Sequence, residues 1–150
     1  MTAYEEYKAH LRRDAAEIAA LKEKSLRIAA ARRLSSVMSD TKWLKLQSAV
    51  HELPFPPPAL LKRLTDDGEP REWPEIPPRF TGDWSSYWEE GLPPFFDIEW
   101  LKVMPRYRRY RGRLLADEIV DETDEFAAAL KRTGVPHEEE NGCFTLYGYR

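Results

Sequence analysis

The first proline of this chain is Pro54 and the first glycine is Gly68, so nothing in the first third of the sequence forces a helix to stop. Thr2 is a good helix cap, and a helix is predicted from about residue 3 to residue 34. Tyr4, Tyr7, Leu11, Ile18, Leu21 and Ile28 recur at a three-then-four spacing, with Asp14 and Ser25 as polar interruptions of the same seam. Alanines such as Ala15, Ala19 and Ala30 raise helix propensity and leave thin faces for close packing. A helix of that length reaches on the order of 45–50 Å, longer than a small domain is wide. It must overhang, fold back on its own domain, or pair with another chain.

Ser35 to Asp40 is a polar break, and a second helix is predicted over about 41–53 with Trp43, Leu46, Val50 and Leu53 on one stripe. Pro54 ends it, because the residue before a proline is pushed out of helical geometry. Most of the twelve prolines then crowd between Pro54 and Pro78, which leaves room for one short strand near 59–65 and a long irregular segment. Phe96, Ile98 and Trp100 alternate with Asp97 and Glu99, the pattern of a half-buried strand near 96–103 with its acids toward solvent. After a basic turn, residues 113–120 read as a strand whose apolar residues on both faces suit an interior position. A helix near 122–133 closes at Gly134 and Pro136, and Asn141-Gly142 turns the chain into a last strand near 143–149. The predicted class is α+β: a small antiparallel or mixed sheet, one helix on it, and two N-terminal helices. Residues 1–38 are expected to be a helical extension, and residues 39–150 the α+β domain.

Five Trp, six Phe and seven Tyr supply a core that disordered chains lack. A single cysteine, Cys143, allows no intrachain disulfide, and no apolar run approaches the ~20 residues that cross a bilayer. With Glu5, Glu6, Asp14 and Glu17 near the start and no apolar signal core, the expected location is the cytoplasm, with no membrane partner. No glycine-rich phosphate loop is present. His10, His51 and His137 have no second ligand at helical spacing, and Cys143 has no activating histidine near it in sequence. No catalytic residue, metal site or cofactor is therefore assigned, and the chain is read as a non-enzyme.

Charge is sorted instead. Six of the twelve residues from Lys102 to Arg113 are basic, six of the nine from Asp117 to Glu125 are acidic, and Glu138, Glu139 and Glu140 form a third block. Opposed blocks of this kind build protein-binding surfaces, or pair with each other in a hairpin. Two candidate contact faces follow. The first joins Asp83, Trp84, Trp88, Glu89 and Glu90, aromatic anchors rimmed by acid, to Glu138, Glu139 and Glu140. The second is Arg106, Arg108, Arg109 and Arg111, interleaved with tyrosines. Nucleic acid suits the second face, but Asp and Glu (26) outnumber Lys and Arg (23), which argues against it.

Four stretches carry a resemblance: SDTKWLKL (39–46), PFPPPALLKRLTD (54–66), FFDIEWLKV (95–103) and GVPHEEENGCFTLYGYR (134–150). They resemble a family of small bacterial proteins of uncharacterised function with a Thr-Lys-Trp opening, an Ile-Glu-Trp-Leu strand and a terminal Gly-Tyr pair. Several members are similar in style to immunity proteins of contact-dependent or polymorphic toxin systems. The resemblance starts near Asp40, rests on packing motifs, and implies no catalytic residue. The expected function is binding and neutralising a cognate protein toxin. The alternatives are a nucleic-acid-associated regulator using residues 106–113, and a self-associating scaffold built on the first helix.

Overall fold

The computed structural model describes residues 2–79, 88 and 92–150. Three helices lead the chain, α1 (Ala3–Arg13), α2 (Ala15–Ala31) and α3 (Asp40–His51). Strand β1 (Ala59–Arg63) follows, and a 3-10 turn at Phe95–Asp97 opens β2 (Ile98–Val103). Then come β3 (Arg106–Arg109), β4 (Glu118–Asp121), α4 (Thr123–Thr133), β5 (His137–Glu140) and β6 (Cys143–Tyr147). The architecture is α+β, with a four-stranded antiparallel sheet in the order β1-β2-β6-β5 and a separate two-stranded ribbon, β3-β4.

Local chemistry accounts for most of the boundaries. Thr2 and Glu5 form a reciprocal capping box on α1, and the Ser39 hydroxyl accepts the Lys42 amide at the start of α3. Gly134 adopts a left-handed conformation (φ 71°) and donates its amide to the Leu130 carbonyl, ending α4 where the sequence places its end. Asn141 and Gly142, both at positive φ, turn β5 into β6.

One face of the sheet carries the core. Ala59, Leu61, Leu101, Val103, Phe144 and Leu146 come into register there and meet Trp43, Leu46 and Val50 of α3 and Phe126 and Leu130 of α4. Leu60, Trp100, Lys102, Thr145 and Tyr147 on the other face stay half-buried. The quoted packing motifs thus have packing roles: Trp43 and Leu46 from the Thr-Lys-Trp segment, and Ile98 and Leu101 from the central strand, are all buried.

Four expectations need correction. The single helix over 3–34 is two helices, because Asp14 leaves helical geometry (φ −119°, ψ 46°). The interior strand over 113–120 is instead the outer ribbon strand β4, and Leu114, expected inside, is 97% exposed. The basic turn after β2 contains strand β3, which pairs Arg106 with Asp121 and Arg109 with Glu118. Glu138, Glu139 and Glu140 are not loop but lie in strand β5 at the sheet margin, where acidic side chains deter a further strand from adding.

Candidate binding surface

The alternation from Phe96 to Trp100 predicts acids toward solvent, and the structure does the reverse: Asp97 and Glu99 are buried and Trp100 is half-buried. For Glu99 the cause is an irregularity of register, while Asp97 lies in the 3-10 turn before the strand. Lys62 pairs with Trp100 but Arg63 pairs with Ile98, so Glu99 is the extra residue of a bulge and its side chain is re-aimed. Asp97, wholly buried, accepts from Arg63 Nε (2.5 Å), from the Thr65 amide (3.2 Å) and hydroxyl (2.9 Å), and from the Ser25 hydroxyl (2.8 Å). Glu99 pairs with Lys62 Nζ at 2.7 Å and with Arg32. Each carboxylate has a cation, as a buried charge requires.

This cluster is a clasp. It ties α2, through Ser25 and Arg32, to β1 and to the entry of β2. The two grooves found beside α1, about 470 and 500 Å³, are lined by neither Asp97 nor Glu99. The larger lies between α1, α3 and the end of α4, and the smaller is walled by Glu6, Tyr7, His10, Gln47 and His51. Burial pushes the Tyr7 hydroxyl up to about 12, against the effect of the Phe95 amide it accepts, with the Asp40 charge adding to the rise. Burial also raises the Cys143 thiol, with a smaller push from Glu140 and an opposing pull from Lys102, so the protonated form is favoured. Among the described residues, no group of three or more potential ligands is arranged to hold a metal ion.

Of the first predicted contact face, Asp83, Trp84, Glu89 and Glu90 lie outside the described residues. Trp88 is corrected: it is 1% exposed, sits in the main core, and donates its indole N–H to the Pro57 carbonyl at 2.9 Å. It fills the fold and is not available as a contact. Glu138, Glu139 and Glu140 are all exposed along β5, with Glu138 held by Arg150 and by the Tyr147 hydroxyl.

The arginine face is committed in part within the molecule. Arg109 pairs with Glu118 at 2.5 Å, Arg106 reaches the Asn141 carbonyl at 3.4 Å, and Arg111 Nε donates to the Ala116 carbonyl at 3.1 Å. Arg79, which meets Arg108 through a parallel bridge, pairs with Asp117 at 3.3 Å. Tyr107 is buried and stacks on Phe55. Across β3 and β4 the opposed charge blocks thus meet at Arg109 and Glu118, which pair directly, and at Arg106 and Asp121, which face each other in register. Around the turn of the ribbon and on β4, Tyr110 (54%), Leu114 (97%), Leu115 (58%) and Ile119 (59%) are exposed, and among the described residues Arg113 has no acidic partner. Sequence reading missed this patch by counting the same leucines as strand interior. Its available signal was Gly112 two residues ahead of Leu114 and Leu115, a turn residue shortly before apolar ones.

A small sheet backed by helices, a buried acidic clasp and exposed apolar residues about the β3–β4 turn define an α+β protein with a candidate docking surface. The chain belongs to a family described as a family of unknown function (DUF6678), which it matches over residues 25–150. That match starts at Ser25, the residue whose hydroxyl meets Asp97, and so begins before the Asp40 start of the resemblance. Neither a curated protein nor a solved structure matches the chain. Among the described residues no helix is long and apolar enough to cross a membrane.

Proposed function

We propose that this chain is a non-catalytic bacterial protein-binding protein that acts in the cytoplasm as an immunity protein, neutralising a cognate toxin by direct contact. One observation supports the reading above the others: the ribbon tip holds Leu114 almost wholly in solvent, beside Leu115, Tyr110 and Ile119. Burying one leucine side chain is worth about 1.5–3 kcal/mol, so a chain that leaves several apolar residues exposed within one short segment forgoes that gain unless a partner covers them. The cations near them, Arg111 and Arg113, favour an apolar hollow with an acidic rim on that partner.

The same details weigh against a nucleic-acid role. Tyr107 is packed on Phe55 and Arg109 is paired with Glu118, which takes one ring and one cation from a stacking platform along residues 106–113. Co-expression with the product of the adjacent gene, expected to encode the toxin, tests the proposal. The expected outcome is a stoichiometric complex that survives purification and a host protected from the toxin. Recovery of this chain alone, with no protection, contradicts it.

A further inference from the structure

We infer that Asp14 is a hinge, and that two copies of this chain exchange α1. In the exchanged dimer α1 and α2 run on as one helix, and Tyr7 of each copy fills the socket at Phe95 of the other. This inference is independent of the toxin reading.

The first observation is how lightly α1 is held. None of its residues is buried, and grooves of about 470 and 500 Å³ separate it from α3 on either side. Its main anchor is Tyr7, whose ring stacks on Phe95 with centroids 4.3 Å apart and whose hydroxyl accepts the Phe95 amide at 3.1 Å. An arm held by one ring can leave and return as a unit.

The second observation is the break itself. Asp14 caps the end of α1 and the start of α2, yet its side chain makes no cap hydrogen bond. No glycine or proline lies on either side, and Ala15 and Ala16 follow directly. Arg13 and Glu17, four apart and so neighbours on a continuous helix, make no ion pair with each other across the break. The sequence therefore favours one helix, and the fold-back of α1 onto its own socket is what opposes it.

The third observation selects a second copy as the occupant. Tyr4, Tyr7, Leu11, Ile18, Leu21 and Ile28 share one three-then-four seam. The α2 end of that seam is fixed to the domain: Ser25 is buried on Asp97, and Ile28 packs against the cluster of Ala29, Leu64 and Tyr149. Straightening at Asp14 must swing α1 away from its own domain and carry Tyr7 off its own Phe95. The surface shaped for that ring is another copy's socket, and exchange restores every α1 contact while adding helical continuity. Ribbon-to-ribbon pairing is the poorer route to a dimer, since antiparallel β4 strands set Glu118 opposite Asp121.

Sedimentation of the full chain across a concentration series, with Asp14→Ala and Tyr7→Ala variants, tests the exchange. Asp14→Ala is expected to raise the dimerisation constant about tenfold, as the helix-propensity gain is counted once per copy. Tyr7→Ala, which removes the contact that docks α1 on either copy, is expected to leave α1 undocked and so to weaken the dimer, and Asp14→Ala should keep the parent's main thermal transition because α1 contributes no buried residue. A second measurement identifies the contact. In a Cys143→Ser background, a Glu6→Cys copy mixed with a Gln47→Cys copy should give a disulfide between copies, since both positions line the same groove. An Asp14→Ala protein as monomeric as the parent overturns the inference, as does a dimer in which those cysteines do not cross-link.

Discussion

Gly148→Ala is expected to be the most damaging single-methyl change in this protein, costing more than about 3 kcal/mol or preventing folding altogether. A Cβ built on Gly148 falls deep inside contact distance of the Ile98 carbonyl oxygen, and the Trp43 ring stands 3.4 Å away on another side. The clash is with backbone of the central strand, so no side chain can rotate to relieve it. Gly148 also donates its amide to the Glu99 carbonyl at 2.8 Å and accepts the Val37 amide at 3.0 Å. It therefore sits where the bulge, the segment after α2 and the chain's last residues meet. Next to it, Tyr149 donates its hydroxyl to the Phe96 carbonyl at 2.6 Å. The terminal Gly-Tyr pair is thus a closure of the fold. Urea denaturation followed by circular dichroism measures the loss. A Gly148→Ala protein with the parent's midpoint shows that the close approach is not needed.

Asp97→Ala is expected to cost about 3–5 kcal/mol, the usual effect of removing one partner of a buried ion pair. The loss leaves Arg63, the Thr65 amide and the Thr65 hydroxyl without their acceptor. Ser25 suffers less, because its hydroxyl also lies 2.8 Å from the Leu21 carbonyl. Asp97→Asn keeps the shape and part of the hydrogen bonding, so it should fall between parent and Asp97→Ala. The same denaturation experiment reads the order. Since the clasp joins α2 to β1 and β2, amide exchange in Asp97→Ala should accelerate first in α2 and β1. Equal stability of Asp97→Ala and the parent means the clasp does not hold these elements together.

The sequence was most legible where a boundary depends on nearby residues. The end of α4 at Gly134, the start of α3 beyond Ser39 and the turn at Asn141-Gly142 follow from caps and φ preferences, and stand where predicted. It was least legible where a distant strand decides. Apolar–acid alternation from Phe96 to Trp100 implies exposed acids, but a register irregularity against β1 turns Glu99 inward and the 3-10 turn buries Asp97. Glutamates at 138–140 suit a loop by propensity, yet β6 recruits them as its outer neighbour. The charge blocks were visible, but only the register of β3 on β4 says that Arg106 faces Asp121 and Arg109 faces Glu118. The same register exposes Leu114 and Leu115, which by composition alone belong inside.

The central proposal is that this molecule works through what its ribbon tip touches, and calorimetric titration of the toxin domain proposed as its partner tests it most directly. Against the parent, a Leu114→Asp/Leu115→Asp variant is expected to bind at least about 100-fold more weakly, the affinity carried by two buried leucines at the low end of their range. Its thermal midpoint should stay at the parent value, because Leu114 is 97% exposed and Leu115 is mostly so. Parent-like affinity in that variant, with the fold intact, contradicts the assignment of binding to the tip.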